Sequence, residues 1–421
     1  MKKRRPETKH TGSAPSTNFR PDIRLAILLA LLWVNLSALA SPMQRLSRHV
    51  PAVVSRLQPV GSLVDSKHLD LVLALPLRNQ AELTNLLRRI YDPASPAYHH
   101  YLTPGQFAAQ FSPSVEDYQA LMAYAQSNGF TLTATHGNRT LLDVNGAVAS
   151  IRKAFHVNLR LYQHPGESRV FYAPDTEPAL NLAVPVLAIG GLDNFNLPRP
   201  MGLVTNYFNQ PLSGMPYSTG SGPRGNFIGR DFRSIYAPGV TLTGAGESVG
   251  LFELDGYYPS DITTYANLAG LAGVTLTNVS VDGFNQAPGG NNAEVALDIE
   301  MAMSMAPGLS RVIVYEGYAP DDVLNQMAMD DSARQLSCSW GFGSSVDPIR
   351  EQIFQQFALQ GQSFFQASGD LGAGPIYPPS DDPLVTVVGG TSLITSNSGS
   401  MWKSESVWPD SSGGISANYS I

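Results

Sequence analysis

The spacing of apolar positions changes twice along the chain, and each change marks a different kind of element. Leu69 to Leu77 alternates apolar with polar, the period of a half-buried strand. Gln80 to Ile90 then carries Leu83, Leu86, Leu87 and Ile90 three and four apart, a helix that stops before Asp92-Pro93. A Pro/Tyr-rich loop over 93–104 leads to a second helix over 115–127, closed by Asn128-Gly129. Strands over 131–135 and 140–145, a helix over 148–155 and a strand over 157–162 complete the block. Strand-helix-helix-strand-strand-helix-strand predicts an α+β, ferredoxin-like layer of helices on an antiparallel sheet. Between 194 and 229 the periodicity fades into Asn, Pro, Gly and Ser, as in an interdomain linker open to proteolysis, with 218–225 its most flexible stretch.

From Arg230 strands alternate with helices. Apolar strands are predicted over 248–253, 311–315, 335–339, 363–367 and 384–388, with helices over 261–268, 293–305, 320–329 and 349–359. That alternation predicts an α/β fold with a doubly wound parallel sheet. Such sheets hold their sites off the carboxyl ends of the strands, where Glu253, Trp340 and Asp370 fall.

The helix over 293–305 carries the candidate chemistry. Glu294 and Asp298 are four apart, which places two carboxylates on one face, roughly 5–6 Å apart at Cβ. Ala296, Leu297, Met301, Ala302 and Met305 surround them. Two acids in such a setting repel and resist desolvation, so they share a proton and one becomes a usable base or relay. A solvated helix face gives the same spacing, because acids are favoured near a helix N-terminus. Trp340 reads equally well as a packed indole, and Asp370 as a turn residue after Gly369.

Composition narrows the class. The 421 residues suffice for two or three domains, and 38 Gly and 31 Pro without a period describe a loop-rich globular protein. Residues 1–40 hold seven Lys/Arg and two Asp/Glu, leaving 20 basic against 32 acidic residues in the rest. An acidic body without a basic patch argues against nucleic acid as a partner, and it tolerates low pH. A basic stretch, the apolar run 25–36 and Ala38-Leu39-Ala40 read as a secretory signal peptide cleaved after Ala40, with an uncleaved membrane anchor as the lesser alternative. The single cysteine, Cys338, permits no intrachain disulfide and reads as a small buried residue. No His or Cys has zinc-type spacing, and His99-His100 reads as structural or surface.

The ordered phrases of the chain resemble the sedolisins, or serine-carboxyl peptidases, in precursor form, of the kumamolisin-like group. In the first block these are Asp92-Pro93-Ala94-Ser95-Pro96-Ala97-Tyr98, Tyr101-Leu102-Thr103-Pro104, Phe111-Ser112-Pro113-Ser114 and Gly190-Gly191-Leu192-Asp193. In the second they include Gly256-Tyr257-Tyr258-Pro259, Glu294 to Asp298, Ala306-Pro307-Gly308, Ser339-Trp340-Gly341, Ala367-Ser368-Gly369-Asp370 and Val388-Gly389-Gly390-Thr391-Ser392. The resemblance implies a signal peptide (1–40), a spacer (41–66), an activation prodomain (67–193), a linker with a processing site (194–229) and the front part of a subtilisin-like catalytic domain (230–421). It implies Glu294 as general base, Asp298 as its acidic partner and Asp370 as the oxyanion-hole acid, with Glu253 and Trp340 supporting them. It further implies a secreted, acid-active, monomeric peptidase that acts on proteins or peptides, inhibited by its own prodomain and free of the membrane once the signal is removed.

The same resemblance sets two expectations about what is missing. The family's nucleophilic serine stands in Gly-Thr-Ser-x-x-x-Pro, well beyond the oxyanion acid, and the sequence runs only 51 residues past Asp370. Gly390-Thr391-Ser392 lacks the following proline, so Ser392 is not assigned as nucleophile. The calcium site of a complete member also has no counterpart in the 421 residues. The chain is therefore expected to be C-terminally incomplete and inactive as given, with a non-catalytic prodomain-type binder or inhibitor as the alternative. A carboxylate-pair glycosidase ranks below both, since its acids would face each other across a cleft rather than share a helix.

Overall fold

Leu69, Leu71 and Leu73 turn the same way along β1 (His68–Ala74) and are buried, as the alternation predicts. This strand anchors the first half of the computed structural model, which describes residues 43–201, 220–343, 347–374, 376, 378–397 and 399–419. Three helices follow β1: α1 (Gln80–Ile90), α2 (Pro104–Gln110) and α3 (Val115–Ser127). Ser114 Oγ caps α3 by accepting from Asp117 N at 3.0 Å. α2 starts in a capping box, Thr103 with Gln106, and has Pro104 at its first position. Next come β2 (Thr131–Thr135), β3 (Leu141–Ala147), α4 (Val148–Phe155), β4 (Leu159–Gln163), β5 (Val170–Pro174) and β6 (Ala188–Gly190).

The sheet of this half runs β2-β3-β1-β6, antiparallel throughout. The expected four-stranded sheet is present, but its fourth strand is β6 and not the segment over 157–162. That segment, as β4, joins β5 and the short strand Gly61–Ser62 in a separate antiparallel sheet. Val72, Leu73 and Ala74 of β1 take β6 as their partner instead.

The second half begins with β7 (Arg199–Pro200), inside the stretch read as linker; residues 202–219 lie outside the described residues. After α5 (Arg230–Tyr236), the chain forms β8 (Ser248–Glu253), α6 (Pro259–Ala269), β9 (Leu276–Ser280), α7 (Asn292–Met305), β10 (Arg311–Glu316), α8 (Pro320–Asp330) and β11 (Gln335–Cys338). Then come β12 (Trp340–Gly341), α9 (Pro348–Gln360), β13 (Ser363–Ala367), β14 (Val385–Val388) and the hairpin β15 (Thr391–Ser396) with β16 (Met401–Val407).

Six strands form one parallel sheet in the order β9-β10-β8-β11-β13-β14. The chain lays strands to one side of β8 and then to the other. The crevice between the carboxyl ends of β8 and β11 is therefore the switch point at which such sheets bind ligands. Val312, Val314, Leu251 and Leu336 are almost fully buried in its core, with Val295, Ile299 and Met303 packing from α7.

The first half packs on α8 and α9 of the second. Leu102 N donates to Leu359 O at 2.9 Å, and Tyr91 Oη donates to Ala358 O at 2.8 Å. The Gln352 amide bridges Leu75 O and Leu77 N. Asn138 Nδ2 reaches Asn325 Oδ1 at 2.6 Å. Gly361 closes α9 at φ +72, and any Cβ there would stand 2.5 Å from the Tyr101 ring. Among the described residues no helix is long and apolar enough to cross a membrane. The signal-peptide reading falls on residues outside those described.

A buried carboxylate cluster as the candidate active site

α7 delivers the two acids that its sequence spacing pairs. The loop leading into it is held by Asp255, whose carboxylate accepts from Gly289 N at 2.6 Å and Asn291 N at 2.7 Å. The helix buries Glu294, Val295, Ala296, Ile299, Met303 and Ser304. The expected apolar surround is thus only partly realised, since Leu297 and Met305 point to solvent and Val295, Ile299 and Met303 take their place.

Glu253 is the last residue of β8 and has no solvent exposure. Trp340, just past β11, donates from Nε1 to Glu253 Oε2 at 2.8 Å and is itself buried. Glu253 also meets Asp298 in a side-chain hydrogen bond. The remaining oxygens, Glu253 Oε1 and Asp298 Oδ2, are shut off from solvent and, among the described residues, have no partner outside this pair. Two carboxyl groups bond only if one keeps a proton. Burial raises Glu253 well above the ordinary glutamate range, and the charge of Asp298 adds to the effect. Glu253 is therefore the proton donor and Asp298 the acceptor.

Asp298 Oδ1 accepts from Ser339 Oγ at 2.8 Å. Burial pushes Asp298 up to about 6, while the bonds from Ser339 and Glu253 pull it down. Glu294 shares the Ser339 hydroxyl as a partner and is pushed up to about 8, first by burial, then by the charges of Asp298 and Asp370. Asp370 lies in the turn after β13, half-buried, raised by burial and by Asp410. The structure thus brings together all five residues singled out from the sequence. It also adds two: Ser339, which links both acids of α7, and Glu316, buried at the end of β10 opposite Glu253 and pushed up by burial to about 7. Ser339 was within reach of sequence reasoning as the last residue of the strand predicted over 335–339, next to Trp340.

A peptide segment already lies along this cluster. Arg199 pairs antiparallel with Gly341 and Pro200 with Trp340, while Met201 N donates to Ser339 O at 2.9 Å. The Met201 side chain fills the space above two glycines. A Cβ on Gly341 would stand 2.2 Å from Met201 Sδ, and one on Gly369 would stand 2.7 Å from its Cε. Cys338 is buried nearby with its thiol pushed up by burial, which makes it inert. His99 and His100 lie in the loop before α2, with His99 stacked between Tyr98 and Tyr101, as a structural reading requires. Ser392 sits on the exposed β15.

Residues 55–195 match the family model "Pro-kumamolisin, activation domain". Xanthomonalisin of Xanthomonas sp. (strain T-22) is 27% identical over 412 residues, covering 85% of this chain and 49% of that protein. Sedolisin of Pseudomonas sp. (strain 101) is 26% identical over 384 residues, covering 83% and 64%. Kumamolisin of Bacillus sp. (strain MN-32) is 27% identical over 327 residues, covering 72% and 58%. The chain is thus similar over most of its length to sedolisin-type peptidases, and its first half to their activation domain. It spans about half to two thirds of the length of these curated sedolisin-type relatives. The solved structure of Pseudomonas sedolisin, a serine-carboxyl proteinase complexed with two molecules of pseudo-iodotyrostatin, aligns over 46% of this chain and 64% of that one. The identity is 23% and the TM-score 0.40.

Proposed function

We propose that the chain is the precursor of a secreted, acid-active serine-carboxyl peptidase, with residues 67–193 as its prodomain and 230–421 as the front part of a subtilisin-like catalytic domain. The antiparallel strand order of the first half is that of interleaved split βαβ units, which supports the ferredoxin-like reading of the prodomain. One observation carries the proposal: Arg199 to Met201 lies as an added strand on Ser339-Trp340-Gly341, beside the acids of α7. A site that accepts main chain by strand pairing recognises extended peptide. Here the occupant would be the chain's own linker, holding the cleft in the covered state.

In the open enzyme Glu294 takes the proton of a serine hydroxyl as that oxygen attacks the scissile carbonyl. It later returns the proton to the departing amine, leaving an acyl-enzyme for water to hydrolyse. Asp298 orients Glu294 through Ser339, and Glu253 with Trp340 fixes Asp298. Asp370, kept protonated at acid pH, donates a hydrogen bond to the oxyanion. In the covered state burial keeps the proton on Glu294, so the base is silenced chemically as well as sterically. No serine among the 421 residues is assigned as the nucleophile, and no residues are assigned to calcium. The edge strand β14, with Val387 and Val388 exposed, offers a place for further strands to pair.

The alternative reading is a non-catalytic prodomain-type binder. Reading the transcript past codon 421 separates the two. A frame that encodes that phrase, with a product that hydrolyses denatured protein at pH 4, supports the peptidase. An immediate stop overturns it in favour of the binder.

A further inference from the structure

A second polar cluster lies far from the carboxylates of α7 in function and in kind. His136 follows β2, Asp143 lies on β3, and Asp322 lies in the first turn of α8. All three are more than nine-tenths buried, at 8%, 7% and 4% exposure. Each offers one ligand atom, and these atoms all lie within 4.8 Å of one another. His136 Nε2 faces Asp143 Oδ2 at 2.8 Å. Asp143 Oδ1 and Asp322 Oδ1 are both cut off from water and have no hydrogen-bond donor. Asp282, in the turn after β9, meets Asp322 carboxyl to carboxyl. Asp321 next door is already neutralised by Arg350, at 2.7 Å, so that cation is not available to the others.

Buried carboxylate oxygens without donors need a proton or a cation. We propose that His136, Asp143 and Asp322 form a binding site for a divalent cation of the zinc type, which ties the first half of the chain to the second. One imidazole nitrogen with two carboxylates suits such an ion better than calcium, which prefers an all-oxygen shell. Bonds of about 2.0–2.2 Å at tetrahedral angles need ligand atoms about 3.3 Å apart; the present atoms lie within 4.8 Å of one another, so a bound ion would require small shifts of these side chains. A cavity of about 900 Å³ between the halves is lined by Asp143, Asp282 and Asp322, which gives an entry path and room for a water as fourth ligand. Two ligands come from the proposed prodomain and one from helix α8 of the second half. The site itself does not depend on the peptidase reading.

The test is calorimetric titration of Zn²⁺ into the chelator-treated full chain, wild type beside Asp322→Asn and His136→Gln, with metal-free melting curves to confirm that each variant folds. One equivalent in the wild type, weakened at least tenfold by either substitution, is the expected result. No stoichiometric binding, or binding unchanged in both variants, overturns the site. Crystals of the wild type grown with Zn²⁺ give a readout independent of the variants. An anomalous peak within bonding distance of His136 Nε2 and both carboxylates is expected, and a peak only elsewhere refutes the proposal.

Discussion

Glu294→Gln removes one ionisation from the covered cleft and leaves shape and hydrogen bonding nearly unchanged. In the folded chain Glu294 is raised from the ordinary glutamate value to about 8, chiefly by burial. The folded state therefore holds a proton that the unfolded chain releases once the pH passes the ordinary carboxylate range. Wherever the folded state binds more protons, stability falls as pH rises. The loss begins near the unfolded value, about 4.5, and runs until the folded group ionises near 8. Between pH 4 and pH 7 this one group is worth about 3 kcal/mol, from 1.36 kcal/mol per unit of separation. Asp298 and Glu316, raised to about 6 and about 7 by the same cause, push the slope the same way in both proteins. Urea unfolding of wild type and Glu294→Gln at pH 4, 5, 6 and 7 isolates the Glu294 contribution. The wild type should lose stability toward neutral pH more steeply than the variant, by about 3 kcal/mol over the range. Parallel profiles would refute the assignment of a buried, proton-holding Glu294.

Three further outcomes are expected. Trp340→Phe takes the Nε1–H donor from Glu253 Oε2 and should cost about 1–3 kcal/mol by urea unfolding, with Glu253→Gln in the same background recovering part of it. Gly341→Val sets a side chain where Met201 Sδ lies and should detach Arg199 to Met201, seen as faster limited proteolysis near residue 200; unchanged cutting would contradict the added-strand pairing. Arg350→Met strips the buried Asp321 of its partner and should destabilise the chain by about 3–5 kcal/mol at neutral pH, with less loss in acid, where Asp321 takes up a proton.

Local signals were the ones legible in the sequence. α1, α3 and α4 begin and end where apolar spacing and breakers place them, because a cap such as Ser114 or a stop such as Asn128-Gly129 acts within a few residues. α2 was overlooked although Thr103 and Gln106 announce a capping box, since the Pro- and Tyr-rich run before it dominates the window. The alternation over 157–162 does make a strand, yet its sheet is chosen by distant partners, Gly61–Ser62 and β5, which no local pattern encodes. The helix spacing correctly joined Glu294 to Asp298, and strand ends correctly placed Glu253, Trp340 and Asp370. The bridging role of Ser339 and the proton shared by Glu253 and Asp298 depend on three strand ends and a helix converging, a property of the assembled sheet alone. The pairing of Arg199 with Gly341 joins segments about 140 residues apart and leaves no trace in either.

The central claim is that the carboxylates of α7 do the chemistry and that the linker segment Arg199 to Met201 covers them until it is cut away. It is tested most directly in the product of the complete reading frame, acidified to pH 4 and followed by mass spectrometry and by hydrolysis of a denatured protein. The account predicts cleavage within residues 194–229 followed by peptidase activity, both abolished by Glu294→Ala and by Asp298→Ala. Activity that survives both substitutions would contradict it.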